Sequence, residues 1–506
     1  MKMKTILKYI GSAALMFFFG ACNLDQYPYS ETAADEYVKD AAAVNDLVIG
    51  TYNGLHNVMY YEWALTELRS DNTRMRVNGS SSQDTKLIEQ LDQGTITTAH
   101  SWVENYWSTA YAAIARANKV LENLGVVGDE TLRAQYEGEA KFLRAHLYFN
   151  LVRLWGPVFL VTKKTGSDEA RHMQRSPVED IYGLIEGDLN AIINGAMLPD
   201  VAASGNEGRA TMPAVKGLLA KVYMTRYDVG SDNYMKAGSL LRDVLAAAGN
   251  PQNGSDLVPY DRIFAVDNEM NKEIIFAVRY LSGNVGLGSP FGTLFGPMNN
   301  GNNVIMGSPK HYNYPSDDLV AAYNNNGTTE KPDLRKTVTL KESYYNATTE
   351  QTVEARWCDK FLSPITSEYD GENDWPVLRV GDVALLLAEW INETSGPTDE
   401  AMRYLNMIRE RAGVTTYATS DLSSKYLFRV AVRNERRLEL ACENQRWFDL
   451  MRWKVAASTV SDHLASELFY SDYDYTVNPI EEWQVLLPIP ISVININPDV
   501  AQNPGY

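Results

Sequence analysis

The sequence predicts a mostly α fold, a scaffold of helical hairpins carrying one loop-rich, minor-β region. Three observations predict it. Apolar residues recur at close to a 3.6-residue period in segment after segment, from 41–59 to 427–453. Two of these segments, 102–124 and 132–155, alternate bulky aromatics (Tyr106, Trp107, Phe142, Phe149) with small residues (Ala112, Ala113, Ala140, Ala145). Large-into-small packing of that kind closes tetratricopeptide-type helix pairs, and such pairs bury their faces only by stacking on neighbours. Third, the period is lost after Gly249, where Gly, Asn, Ser and Pro dominate 281–315. Thirty-five residues without a pattern inside a compact protein mark a functional loop.

The elements follow in order. A helix covers 41–59, and 60–98 reads as polar loop around Val77-Asn78-Gly79-Ser80-Ser81-Ser82. Helices cover 102–124 and 132–155, the second stopped by Gly156-Pro157. Ser176-Pro177-Val178-Glu179 reads as a helix start, with Pro in the first turn and Glu three residues after Ser. Helices at 211–227 and 233–247 pair with each other. Segments 273–279, 333–345 and 352–357 read as strands, and 369–375 (YDGENDW) as an acidic turn-rich loop. Helices return at 377–393 and 398–412, the second closed by Gly413. The segment 427–453 reads as one long helix. Its row of Arg436, Glu439, Glu443, Arg446, Asp449 and Arg452 has the spacing of an exposed stripe laced by ion pairs, each worth roughly 0.2–0.5 kcal/mol.

Composition bounds the function. The chain has 506 residues, 45% hydrophobic, with 30 Tyr, 10 Trp and 14 Phe, enough for a large core. The net charge is −18, or −21 once the 3 positive charges of Lys2, Lys4 and Lys8 are removed. A chain this acidic is unsuited to nucleic acid, which needs clustered Lys and Arg. Residues 1–21 have the order of a signal peptide: basic Lys2, Lys4 and Lys8, an apolar run from Ile10 to Phe19, then Gly20-Ala21-Cys22. Small residues before a cysteine make a bacterial lipoprotein cleavage site, so Cys22 is the expected lipidated residue and 22–40 a tether. Cys358 and Cys442 then remain, as buried thiols or as a disulfide.

No catalytic constellation stands out. The six His are dispersed, and no metal-ligand spacing, P-loop or dinucleotide fingerprint is present. Neither 370–374 nor 472–474 matches a twelve-residue calcium loop, so neither a metal nor a cofactor is expected. Carboxylates are abundant, and a glycoside hydrolase needs only two of them, so a hydrolase is the alternative from another class. A protein-binding helical adaptor is a third reading, but it leaves the long loop and the lipid anchor without a purpose.

Several stretches together resemble one family. Glu-Arg-Arg-Leu-Glu-Leu-Ala-Cys-Glu-Asn-Gln-Arg-Trp-Phe-Asp-Leu (435–450), the segments 139–160, 176–189, 208–224, 378–392 and 405–414, and the tail Leu-Pro-Ile-Pro…Gln-Asn-Pro-Gly-Tyr are similar to the SusD/RagB family of Bacteroidetes surface lipoproteins. One departure is Val493, where the family usually carries Glu. The resemblance implies a SusD-like scaffold and no enzyme activity. It implies a protein of the outer membrane that faces the cell exterior and works in polysaccharide utilisation. It further implies that such a protein binds an oligosaccharide and delivers it to a SusC-like TonB-dependent barrel, or a peptide in the RagB branch. On that basis 41–248 is a helical scaffold, 249–376 a loop-rich ligand-binding insertion, and 377–506 a closing helical region. A sugar ring needs an exposed aromatic plane and a few polar groups. The expected ligand residues lie in loops: Trp63, Asn72 and Arg74 after the first helix, Tyr312 and Tyr314 in the long loop, and Trp375. Trp375 and Tyr312 are expected to stack on sugar rings, with Arg74 hydrogen-bonding their hydroxyls.

Overall fold

The structure is a computed structural model and describes residues 38–75, 82–466 and 478–506. The signal segment, Cys22, the tether, Arg76 and the loop 471–475 lie outside the described residues. The scaffold is built from α1 (Ala41–Thr66), α2 (Gln83–Asp92), α3 (Ser101–Glu122), α4 (Glu130–Trp155), α5 (Val178–Asn194), α6 (Met212–Arg226) and α7 (Asp232–Ala247). Each main helix packs on the next: α1 on α3, then α3 on α4, α4 on α5, α5 on α6 and α6 on α7. The caps follow the sequence. Asp40 Oδ1 accepts from Ala43 N at 2.9 Å and Asp129 Oδ1 from Leu132 N at 2.9 Å, filling donors a helix start leaves open. Gly156, at φ +72°, ends α4. The start signal at Ser176 works differently from expectation: Pro177 takes the cap position without a side-chain hydrogen bond, while Ser176 N donates to Val158 O at 2.8 Å.

Two regions differ from expectation near the N-terminus. Helix α1 runs on to Thr66, so Trp63 is helical, and α2 occupies part of the expected loop. The reason is burial. Leu55, Val58, Met59, Trp63 and Leu65 continue the apolar face, and their packing outweighs the polar residues between them.

The loop-rich region holds three two-stranded pairings. β1 (Thr73–Arg74) pairs with β3 (Tyr314–Pro315), β2 (Ile274–Val278) with β6 (Trp375–Arg379), and β4 (Leu340–Asn346) with β5 (Gln351–Cys358), all antiparallel. The first turn of the expected strand 333–345 is instead a short helix, Arg335–Thr339, which Asp333 holds through the Arg335 backbone and guanidinium. Helix α8 (Asp317–Asn326) lies beside it. Residues 377–379 belong to β6 rather than to the following helix, because the β2 ladder claims their backbone.

The closing helices are α9 (Val380–Ser395), α10 (Asp399–Arg411), α11 (Lys425–Leu440), α12 (Arg446–Arg452) and α13 (Ala456–Ser466). Helix α9 packs on α7, α10 and α11, which joins the two helical regions. At Gly238 of α7 an added Cβ would lie 2.5 Å from the Trp390 ring of α9, a large-into-small contact that fixes this crossing. The expected single helix 427–453 is two helices. Cys442 and Asn444 both have left-handed backbone, at φ +65° and +61°. Their N–H groups donate to Glu67, at 2.8 and 3.1 Å, and Asn72 donates to the same carboxylate at 2.9 Å. A buried carboxylate from the end of α1 thus takes the donors that a continuous helix would have used.

The charged row is also not an exposed stripe. Glu439 is fully buried and meets Arg335 at 3.2 Å, Arg379 at 2.6 Å and Arg411. Glu443 binds Lys360 at 2.8 Å and Arg379 at 2.7 Å. Arg436 spans Asp382 at 2.9 Å and Asp449 at 3.0 Å, Arg446 meets Asp71 at 2.7 Å, and Arg452 meets Glu389 at 2.6 Å. The partners come from elsewhere in the fold, save the Asp449 contacts with Arg436 and Arg452. The surrounding guanidinium groups hold the Glu439 carboxyl well below the usual range against burial, which alone would raise it.

The tail docks on the end of α4. Asn503 Nδ2 donates to Trp155 O at 3.0 Å and Leu487 O at 2.7 Å, and the Trp155 indole donates to Pro488 O at 2.8 Å. Gly505, at φ +91°, lies where a Cβ would meet the Trp483 ring at 2.2 Å, and the Tyr506 ring packs edge-on against Trp483. The Gln-Asn-Pro-Gly-Tyr motif is therefore a latch.

Candidate functional site

Most of the expected ligand residues are structural. Trp63 is fully buried in α1, packed edge-on against Phe295 and Trp102. Asn72 is buried and tied to Glu67 and Arg437. Arg74 is buried over the Tyr314 ring at 4.4 Å, and Arg356 lies over the same ring at 5.5 Å. Tyr314 thus spends a face on guanidinium groups. Trp375 is 1% exposed, stacked on Phe361 at 4.2 Å and tilted against Phe291 at 4.3 Å. Its faces are occupied, so the expected stacking of Trp375 on a sugar is corrected: the ring holds the loop layer together. Large aromatics in loops without a helix to pack on pack on one another.

Tyr312 is the exception. Its body is buried, near-parallel to Trp63 at 6.4 Å, but the residue lines a surface cleft of about 600 Å³ with Asp84, Thr85, Asn299 and Lys310. A second cleft of about 280 Å³ is lined by His56, Asn57, Tyr60, Tyr280, Pro290 and Tyr369. The two lie close together: Tyr60 is near enough to Tyr369, Asp84 and Tyr312, and Tyr312 to Asp84 and Tyr369, for their titrations to interact. Together they form one groove between the solvent side of α1, the start of α2 and two loops.

Each wall has a local cause. His56 and Tyr60 are four residues apart on α1 and share a face. Tyr60 stacks on Trp102 at 5.8 Å and packs edge-on against Tyr61 at 5.0 Å, so its ring is held in place while still half-buried. The opposite wall is built by the acidic run. Asp370 Oδ2 accepts from Gly283 N at 2.8 Å and Asn284 N at 2.9 Å, Glu372 from Ser282 N at 2.9 Å, and Asp374 from Tyr280 N at 2.8 Å. Gly288 passes so close that a Cβ would lie 2.4 Å from Asp370 Cα. Ser289 and Gly371 exchange backbone hydrogen bonds at 2.8 and 2.9 Å. This stitching leaves Tyr369 at φ +61° and 36% exposed, its N–H donating to Thr293 Oγ1 at 2.8 Å. The carboxylates hold backbone, and among the described residues no three His, Cys, Asp or Glu converge as a metal site.

The groove is close to neutral. Burial raises the Tyr60 and Tyr312 phenols and lowers the His56 imidazole, so at neutral pH all three are uncharged donors and acceptors. Among the described residues, Asp84 and Lys310 are the charged ones lining it. The partly exposed Tyr60 and Tyr369 rings, with the mostly buried Tyr312 and nearby amide, hydroxyl and imidazole groups, suit a ligand with apolar faces and a hydroxyl rim.

The sequence reading missed Tyr60, Tyr61 and Tyr369. A signal for the first two existed: adjacent aromatics at 60 and 61 cannot both face one helical core stripe. Tyr369 had none, since its exposure depends on which backbone groups the following carboxylates bind. Cys358 and Cys442 are both buried free thiols, and Cys442 sits in the break rather than on a helix.

Comparison with known proteins agrees with this architecture. Residues 321–506 match the model of the SusD family, and residues 23–224 match a second model described as starch-binding associating with outer membrane. SusD-like protein P25 of Formosa agariphila is 26% identical, with 100% of each chain covered. Among solved structures, a laminarin binding SusD-like protein superposes with a TM-score of 0.74 at 24% identity, over 92% of this chain and 100% of that one. Surface glycan-binding protein A from Bacteroides thetaiotaomicron in complex with laminarihexaose gives 0.70 at 22% identity, over 91% and 99%. With the two family models matching its two ends and a full-length relative between them, the chain belongs to the SusD-like family.

Proposed function

We propose that this chain is an outer-membrane surface lipoprotein, anchored through Cys22, that holds an oligosaccharide in the tyrosine-lined groove and passes it to a SusC-like TonB-dependent barrel. The observation that carries the reading is the groove itself: Tyr60, Tyr312 and Tyr369 meet there with neutral polar partners on a SusD-like scaffold. The glycans named for the similar solved structures point the same way. In this reading 41–248 supplies one wall of the groove, 249–376 the other, and 377–506 ties the two together. In this reading the protein is a binder, and the carboxylates of the acidic run serve to hold backbone. Among the described residues no helix is long and apolar enough to cross a membrane, and in this reading the barrel carries the ligand through.

Calorimetry against a glycan array tests the ligand. Binding that is lost in a folded Tyr60→Ala, Tyr369→Ala double variant supports the groove. Binding of peptides in place of glycans moves the ligand class while keeping the uptake role. Fractionation tests the anchor: Cys22→Ala, expressed without the barrel, leaves the outer-membrane pellet, and retention there overturns the lipid assignment. Co-purification in mild detergent tests the barrel.

A further inference from the structure

A second cleft, of about 310 Å³, lies on the other side of His56 from the tyrosine groove. His56 lines both. Its ring is stacked on Tyr280 at 4.5 Å and its Nε2 donates to Arg279 O at 2.6 Å, so it forms a fixed ridge between them. The far cleft has an apolar floor from Ile49, Leu55 and Leu287, with Ile49 51% exposed. Its rim is polar: Tyr52 and Asn53 of α1, and the loop Gly205–Arg209.

That loop is fixed in place. Gly205 N donates to Glu207 Oε2 at 2.8 Å. Gly208, at φ +93°, sits where a Cβ would lie 2.6 Å from Arg279 Cγ, so the loop is pressed against that side chain and only glycine fits. Both arginines at the rim are already ion-paired, Arg209 with Glu139 at 2.8 Å and Arg279 with Glu269 and Asp374. Their charge is therefore already balanced by carboxylates, and with Glu207 also lining the cleft the rim offers no net positive charge to a carboxylate or sulfate group.

We infer that this cleft is a second sugar subsite, filled by further uncharged units of the same glycan chain after it crosses the His56 ridge. The inference rests on the glycan-binding reading of the tyrosine groove and adds to it a ligand length and a charge class. An apolar floor under a polar rim suits a neutral pyranose face, and the shared His56 ridge sets the two clefts side by side, within reach of one chain.

The test is a chain-length series. An array of uncharged, uronate-containing and sulfated oligosaccharides identifies the series that binds, and calorimetry follows affinity along it. The expected result is an uncharged series whose affinity steps up by about tenfold at the length that reaches past His56, a gain of roughly 1.4 kcal/mol. Asn53→Trp fills the cleft from an exposed position. It abolishes that step and leaves the affinity of short chains unchanged, whereas Tyr369→Ala weakens short and long chains alike. A plateau with no step, or a step that survives in Asn53→Trp, overturns the second subsite while the groove stands. Preference for the acidic series overturns the charge class. No binding to any glycan removes the underlying reading and this inference with it.

Discussion

The junction around α11 and the tyrosine groove use polarity in opposite ways. At the junction, formal charges from several elements are buried with partners: Glu439 with Arg335, Arg379 and Arg411, Arg436 with Asp382 and Asp449. Removing one member strands the others in a low-dielectric site. In the groove, the aromatic and amide groups are neutral, and Tyr60 and Tyr369 are partly open to water. The difference teaches where to look for function in a charge-rich sequence. Here the ordered charges specify the fold, and the proposed recognition falls to groups that water can leave cheaply.

The comparison breaks most sharply at its charged end. Glu439→Ala leaves three guanidinium groups facing one another and is expected to cost about 3–5 kcal/mol in urea unfolding. A loss below about 1 kcal/mol would make the junction no different from a surface ion pair. Trp375→Ala distinguishes a core ring from a ligand plane. Its stacking on Phe361 and Phe291 predicts a stability loss of about 3–5 kcal/mol, with little change in affinity per folded molecule.

Acid probes the buried groups by titration. Burial, then the positive Arg153 and Lys221, hold the His146 imidazole down to about 3. Its folded value lies below its unfolded one, so its contribution is intact above about pH 6.5 and is lost as pH falls toward the folded value. At about pH 5 the loss is about 2 kcal/mol. Asp374, which burial and Glu269 push up to about 7, titrates with the opposite sign in the same window. The measurement is therefore a difference: His146→Phe gains about 2 kcal/mol relative to wild type between about pH 7 and pH 5. The depressed carboxylates Glu439, Asp71 and Asp382 lose their contribution as pH falls from the usual carboxylate range toward their lower folded values, equally in both proteins, so they leave that difference unchanged. The smallest effect on stability is expected at the groove. Tyr369→Ala lowers glycan affinity by roughly tenfold, about 1.4 kcal/mol, and moves the unfolding midpoint little, since its ring is among the more exposed aromatics.

Periodicity alone determined that the chain is mostly helical and where most helices begin and end, because a 3.6-residue apolar stripe and a local cap need no distant partner. Composition alone marked the loop-rich region between the helical ones. Tertiary structure decided what depends on a remote group. The break at Cys442–Asn444 exists because Glu67, far away in sequence, takes two backbone donors. The stripe of Arg436, Glu439 and Glu443 looks the same on paper whether it faces water or Arg379, and only the packing of β6 and α9 against α11 buries it. The same holds at the site. Trp375 and Tyr369 are six residues apart in one acidic stretch, and their spacing carries no sign of which is core and which is surface. Asp370, Glu372 and Asp374 settle it by binding the backbone of 280–284, which turns Trp375 inward onto Phe361 and leaves Tyr369 at the mouth of the groove.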